Sequence, residues 1–226
     1  TGTSLFNPEY LDNAKNKDLV LKPLRREGYK YFVGVDPAIS TDGDYNVITV
    51  IEMDSEENKS IVYVDRAKNV QFRENIQKVK LIGQVFRPEV ILFETNTFAK
   101  SFTQELRQVA DLNIHDFNTT RRKKQEIILN LQMTLENGKI SFPYGNEESR
   151  RVSSVLIEEM SMFAITEKGK FEGIGAHDDM VMSLALANAA TYQASETFIL
   201  LDDLGLFEDE SKGHPMARKR SIGLNF

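Results

Sequence analysis

The spacing of apolar and polar positions changes several times along the chain, and each change marks an element. YFVGVDPA, from Tyr31, is a short β-branched and aromatic run that stops at Asp36-Pro37. The loop ISTDGDY is rich in turn residues. NVITVIEMD reads as a second strand, SEENK as a turn and SIVYVDRAKNV as a third strand. Three strands joined by short turns predict an antiparallel meander. Phe72, Ile76, Val79, Gly83 and Phe86 then recur at helical spacing, and Pro88 ends the run. EVILFET is almost continuously apolar, as expected of a strand buried on both faces. A second helix carries Phe98, Phe102, Leu106 and Val109 on one face, with Thr97 as its cap. NIHDFN is a short strand. The next helix has Ile127, Ile128, Leu131, Thr134 and Leu135 on one face and stops at Asn137-Gly138. KISFP is a brief strand, and Val152, Val155, Leu156, Met160 and Phe163 outline a fourth helix. ITEKGKFEGI reads as a hairpin around Lys168-Gly169. HDDMVMSLALANAATYQ is a helix small and apolar enough to lie flat on a sheet.

The two ends have a different texture. Residues 1–30 read as a lead-in, polar and interrupted by Pro23 and Gly28. Residues 195–226 read as a tail: DDLGLFEDE carries five acids in nine residues, and Lys212, Arg218, Lys219 and Arg220 follow. Residues 31–194 between them form the domain. Three antiparallel strands followed by alternating helices and strands make an α/β mixed sheet with helices on both faces. A small hairpin precedes the last core helix. This is the element order of the ribonuclease H-like fold.

Composition removes several chemistries. With 28 Lys and Arg against 34 Asp and Glu, the formal net charge of −6 excludes a uniformly basic nucleic-acid clamp, so any such contact must be local. The chain has no Cys, which excludes disulfides, thiolate metal sites and cysteine nucleophiles. Its three histidines, His115, His177 and His214, are too scattered for a zinc site. No apolar run approaches the roughly 20 residues of a membrane span, and TGTSLFNPEY is no signal peptide.

Acids stand where side chains leave a core. Asp36 closes the first strand, Glu94 closes the strand ILFETN, and Asp178 and Asp179 open the last helix. Each has a plainer reading. Asp36-Pro37 turns a chain, and one acid of the pair caps a helix. Capping needs only one of them, however, and a charge at the end of VILF is costly if buried unpaired. Carboxylates gathered closely need a counter-charge. An oxygen-only donor set suits Mg²⁺ or Mn²⁺, and two such ions would clamp the attacking and leaving oxygens of a phosphodiester. His177 reads as a cap or as a residue that supports the acids. Asp42 and Asp44 either approach the metals or serve the turn. Phe72, Phe86 and Phe102 read as core.

With these residues in place, GVDPA, GDYNVITV, ILFETN, the basic helix, KISFP and HDDMVMSLALA together resemble the nuclease domain of the bacteriophage large terminase, the DNA-packaging motor protein. The likeness spans residues 31–192, and HDD before an alanine- and leucine-rich helix is its most specific part. The resemblance implies a ribonuclease H-like, metal-dependent endonuclease that cleaves concatemeric viral double-stranded DNA. Its catalytic acids would fall on Asp36, Glu94 and the Asp178–Asp179 pair. It also implies an ATPase domain in the same protein, a small terminase and a portal as partners, no membrane, and a place in the host cytoplasm at the assembling procapsid. No GxxxxGK[ST] is present, so the expectation is a fragment that cuts DNA without translocating it.

Arg121, Arg122, Lys123 and Lys124 start a helix after Thr119-Thr120. Four cations there oppose the helix dipole, which favours a phosphate-binding role over a solvated helix start. Lys124 falls where the resembling family often has a lysine. Lys168 and Lys170 crown the hairpin at 165–174, which reads as a gate for DNA. Two other readings keep the same acids or the same fold: a RuvC-type junction resolvase, and a nuclease-dead module that docks partners. A sugar-kinase-like ATPase lacks its glycine-rich loop after the first strand.

Overall fold

The computed structural model describes residues 4–22, 24–37, 45–95, 99–109, 111–166, 169–174 and 177–194. The lead-in is built into the domain. Asn7 caps α1 (Pro8–Asn13) by accepting from the Glu9 N–H, and β1 (Lys15–Asn16) follows. Phe6 and Leu11 are fully buried, and the Phe6 ring meets Phe163 edge-on at 6.0 Å. Isolated apolar residues such as these carry no period, so the sequence pattern did not mark them as core.

The predicted meander is present as β2 (Lys30–Asp36), β3 (Asn46–Met53) and β4 (Lys59–Ala67), paired antiparallel. After it come α2 (Phe72–Phe86), β5 (Val90–Glu94), α3 (Ala99–Val109), β6 (Ile114–Phe117) and α4 (Arg121–Glu136). The series continues with β7 (Ile140–Pro143), α5 (Glu147–Ser161), the hairpin strands β8 (Phe163–Ile165) and β9 (Phe171–Gly173), and α6 (Asp179–Gln193). α2 stops where Arg87 turns left-handed at φ 46° and its N–H bonds the Gly83 carbonyl. Thr120 caps α4 through the Lys123 N–H, and Gly138 follows its end at φ 64°. Met162 closes α5, so Phe163, predicted on that helix, begins β8 instead. Thr97, Phe98 and the tail lie outside the described residues.

Seven strands form one sheet in the order β1-β7-β4-β3-β2-β5-β6. β5 runs parallel between β2 and β6, so its apolar run is buried on both faces as predicted. Alternation then sends residues to two cores. Val33, Val35, Ile48 and Phe93 meet α2 and α3 through Ile76, Val79, Phe86, Phe102 and Leu106. Phe32, Val47, Ile51 and Leu92 meet α4, α5 and α6. α6 is buried along its whole middle, from 180 to 191, between the sheet and α4. An all-round apolar helix needs that position. Among the described residues no helix is long and apolar enough to cross a membrane.

Candidate active site

β2 and β5 are adjacent and parallel, with Val35 opposite Phe93, so Asp36 and Glu94 leave the sheet side by side at the same end. Alternation puts both on the α6 face, Asp36 with Gly34 and Glu94 with Leu92. The height of α6 over that face is set by Gly34. A Cβ there would come within 2.0 Å of the Ser183 carbonyl oxygen and 2.4 Å of the Ala187 nitrogen. The helix therefore rests on the bare strand, and the Ser183 hydroxyl donates to the Gly34 carbonyl at 3.0 Å. Asp179 lies one turn before Ser183 on the same helix face, which carries it over the strand end.

The four predicted acids are thus brought to one place. Asp36 and Glu94 stand against each other, and two carboxylates so close repel when both carry charge. The Asp36 carboxyl is held well above the usual carboxylate range, first by desolvation, then by the Glu94 charge and hydrogen bond, then by Asp179 and Asp178.

Asp178 occupies the N-cap position of α6, yet its side chain makes no capping bond. It accepts instead from Lys124 Nζ at 2.9 Å. Asp179 accepts from the Tyr45 backbone N–H at 3.1 Å, and His177 Nδ1 lies 3.6 Å from the same carboxylate oxygen. Helix capping falls to a distant residue: Glu159 of α5 accepts from the Met180 N–H at 2.9 Å. The plainer reading of the HDD pair as a cap therefore does not describe its side chains. With Asp178 turned to Lys124 and Asp179 to Tyr45, no three acidic or imidazole groups among the described residues form a ready-made metal cage. The oxygen donors still fit a hard divalent cation, which would supply the counter-charge that Asp36 and Glu94 lack.

The basic helix start borders the acids. Lys124 reaches Asp178. Arg121 Nη2 and Gln125 Nε2 both donate to the Gly169 carbonyl, at 3.0 and 3.3 Å, and tie the hairpin to α4. Arg122 and Lys123 are exposed at the same helix end, and Lys170 is exposed on the hairpin. Lys168, Asp42 and Asp44 lie outside the described residues.

Three residues near the acids escaped the sequence reading: Tyr45, Arg66 and Glu159. Arg66 stacks its guanidinium 3.3 Å over the Tyr45 ring and bonds Glu159 at 3.1 Å. Burial pushes the Glu159 carboxyl up to about 7, against the lowering effects of the Met180 N–H and Arg66 and with a further raising effect from Asp179. Helical spacing could have found Glu159, three after Leu156 and seven after Val152 on the apolar face. Arg66 became legible only through register, opposite Val47 on the α6 side of the sheet.

The fold has counterparts among known proteins. The terminase RNase H-like domain family model matches residues 33–190. No curated protein sequence matches significantly. Among solved structures, the magnesium-bound large terminase nuclease from thermophilic phage G20c is 20% identical, with a TM-score of 0.63 over 80% of this chain and 94% of that one. The Thermus phage P74-26 large terminase nuclease domain is 21% identical, with a TM-score of 0.55 over 79% of this chain and 91% of that one. The HK97 bacteriophage large terminase is 11% identical, with a TM-score of 0.61 over 84% of this chain and 44% of that one. Likeness at such identity carries the fold, and the family match over most of the chain carries the kinship: this protein belongs to the terminase RNase H-like domain family.

Proposed function

We propose that this domain is a divalent-metal-dependent endonuclease that cleaves concatemeric double-stranded DNA during viral genome packaging. One observation carries the reading. Among the described residues, the buried acids are paired: Glu52 with Arg26 and the Tyr31 hydroxyl, Glu159 with Arg66 and the Met180 N–H. Asp36 instead faces acids, Glu94 first and then Asp179 and Asp178. Lys124 on Asp178 balances one charge of this cluster and leaves Asp36 and Glu94 facing each other, which makes it a cation site by composition.

Asp36, Glu94, Asp178 and Asp179 would hold Mg²⁺ or Mn²⁺, two ions by the number of carboxylates. Bound there, the metal supplies an activated water and stabilises the leaving oxygen of a phosphodiester. The chain's own part is orientation and charge. Asp36 and Glu94 would face the cation directly, and Asp178 would exchange its bond to Lys124 for the metal, leaving Lys124 to meet a phosphate oxygen. Arg121, Arg122, Lys123 and Lys170, with Lys168 two residues before Lys170 in sequence, would contact the DNA backbone without reading bases. By family kinship the working partners are an ATPase domain, a small terminase and a portal, at the procapsid in the host cytoplasm. The G20c nuclease has been solved with magnesium, cobalt and zinc, and the Sf6 large terminase domain with calcium, which supports a divalent ligand here.

The test is Asp36→Asn, assayed on linear plasmid and on a four-way junction in Mg²⁺ and in Mn²⁺. The wild type is expected to cut linear duplex, and the variant to lose cutting while keeping its fold. Near-normal cutting by the variant removes Asp36 from the site. A wild type that cuts only the junction replaces the packaging reading with a resolvase.

A further inference from the structure

We propose that Arg66, through the plane of its guanidinium, is a positioning residue that sets the Asp179 carboxylate for metal binding; this rests on the metal-dependent reading above. Arg66 lies near the end of β4, opposite Val47 and therefore on the α6 side of the sheet. From there it touches two groups that both act on the start of α6. One contact is the Tyr45 ring, 3.3 Å beneath the guanidinium carbon. The Tyr45 backbone N–H donates to Asp179 Oδ2 at 3.1 Å, and the Tyr45 ring meets His177 edge-on at 5.1 Å. The other contact is Glu159, 3.1 Å away, whose second oxygen holds the Met180 N–H at 2.9 Å.

The contacts close a ring: Arg66 to Tyr45, Tyr45 to Asp179, Asp179 to Met180 along the chain, Met180 to Glu159, and Glu159 back to Arg66. Asp179 is gripped from its carboxylate side and from its backbone side by groups that share one cation. The Arg66 Nε is buried without a hydrogen-bond partner among the described residues, so stacking on Tyr45 takes the place of a further bond. A planar guanidinium can lie on a ring and still present its other edge to a carboxylate. An ammonium cannot do both. The effect of Arg66 passes through Tyr45 and Glu159, as a supporting shell acts on a ligand set.

The experiment compares Arg66→Ala and Arg66→Lys with wild type, using Asp179→Asn as the control. Two quantities are read: amide hydrogen exchange by NMR in the metal-free protein, and Mn²⁺ affinity by calorimetry. In Arg66→Ala the Tyr45 and Met180 amides are expected to exchange at least about 10-fold faster, while Val33 and Val50 in the central ladder keep their protection. Mn²⁺ affinity is expected to fall about 10- to 100-fold. Arg66→Lys keeps the charge for Glu159, so Met180 stays protected, but it loses the stack, so Tyr45 exchange and Mn²⁺ affinity follow the alanine variant. Wild-type Tyr45 protection and Mn²⁺ affinity in Arg66→Ala overturn the proposal. Full rescue of both by lysine does too, because a plain charge would then suffice. If Arg66→Ala does not fold, Arg66→Lys carries the same test. A wild type that takes up no Mn²⁺ sinks the metal reading instead, and the exchange data still decide whether Arg66 holds Asp179.

Discussion

Glu52, Glu159 and Asp36 have different partners, and the shifts of Glu159 and Asp36 follow from theirs. Glu52 carries Arg26 and Tyr31. Glu159 is pushed up to about 7 by burial despite Arg66, and Asp36 is raised by burial and by its acidic neighbours. A carboxyl whose folded pKa is raised favours the folded state while protonated. That stability is full below the unfolded pKa, near 4.5 for Glu159, and is lost as pH rises through the folded value, about 7. The metal-free protein is therefore expected to lose stability between about pH 4.5 and 7, as Glu159 ionises between Arg66 and Asp179. Glu159→Gln should flatten that part of the curve. Asp36→Asn should flatten the contribution from the acid cluster. Urea midpoints across pH, in a chelator, measure both. An unchanged pH curve in Glu159→Gln refutes the assignment.

At the scale of elements, the site depends on how closely α6 approaches β2. Gly34 is the point of contact, with the Ser183 carbonyl where its Cβ would be and the Ser183 hydroxyl bonded to both Gly34 and Thr49. Gly34→Ala must lift the helix or bend the strand, since the clash is with backbone rather than a flexible tip. The expected cost is about 3 kcal/mol or more, at the upper end of overpacking penalties. Asp179, on the same helix, moves away from Asp36 with it. A lowered urea midpoint with unchanged slope, together with weakened Mn²⁺ binding, is the expected pair of results. Wild-type stability would mean that the helix does not bear on this glycine.

Across the whole molecule, charge is divided rather than summed. The net charge is −6, yet the start of α4 concentrates Arg121, Arg122, Lys123 and Lys124 beside the acids. On the proposed function, such an arrangement would attract a phosphate backbone locally despite the net negative charge. Replacing Arg121, Arg122 and Lys123 with Ala leaves Lys124 on Asp178. It should weaken DNA binding regardless of sequence and reduce the slope of log K against log salt by about 0.9 for each phosphate no longer neutralised. Fluorescence anisotropy over a salt series reads the slope directly. An unchanged slope would mean that this helix end faces away from DNA.

The alternation of 31–67, the helical periods of α2, α4 and α5, and the buried run of β5 were all legible in the sequence because each pattern is local. So were the four acids, since strand ends and helix starts can be located from those patterns. The packed role of Phe6 and Leu11 was not legible, because residues without a period announce no partner. Neither was the clamp on Asp179. Arg66 looks like any strand-end cation until register sets it opposite Val47, and spacing puts Glu159 on the apolar face of α5 without showing that it meets the first turn of α6. The identity of the chemical groups was determined by the sequence. Which acid faces a cation, which faces another acid and which caps a helix was decided by contacts between residues far apart in the chain, as Tyr45 and Asp179 are at 134 positions. Hydrogen bonds and desolvation depend on distance in space, and only the folded chain sets that distance.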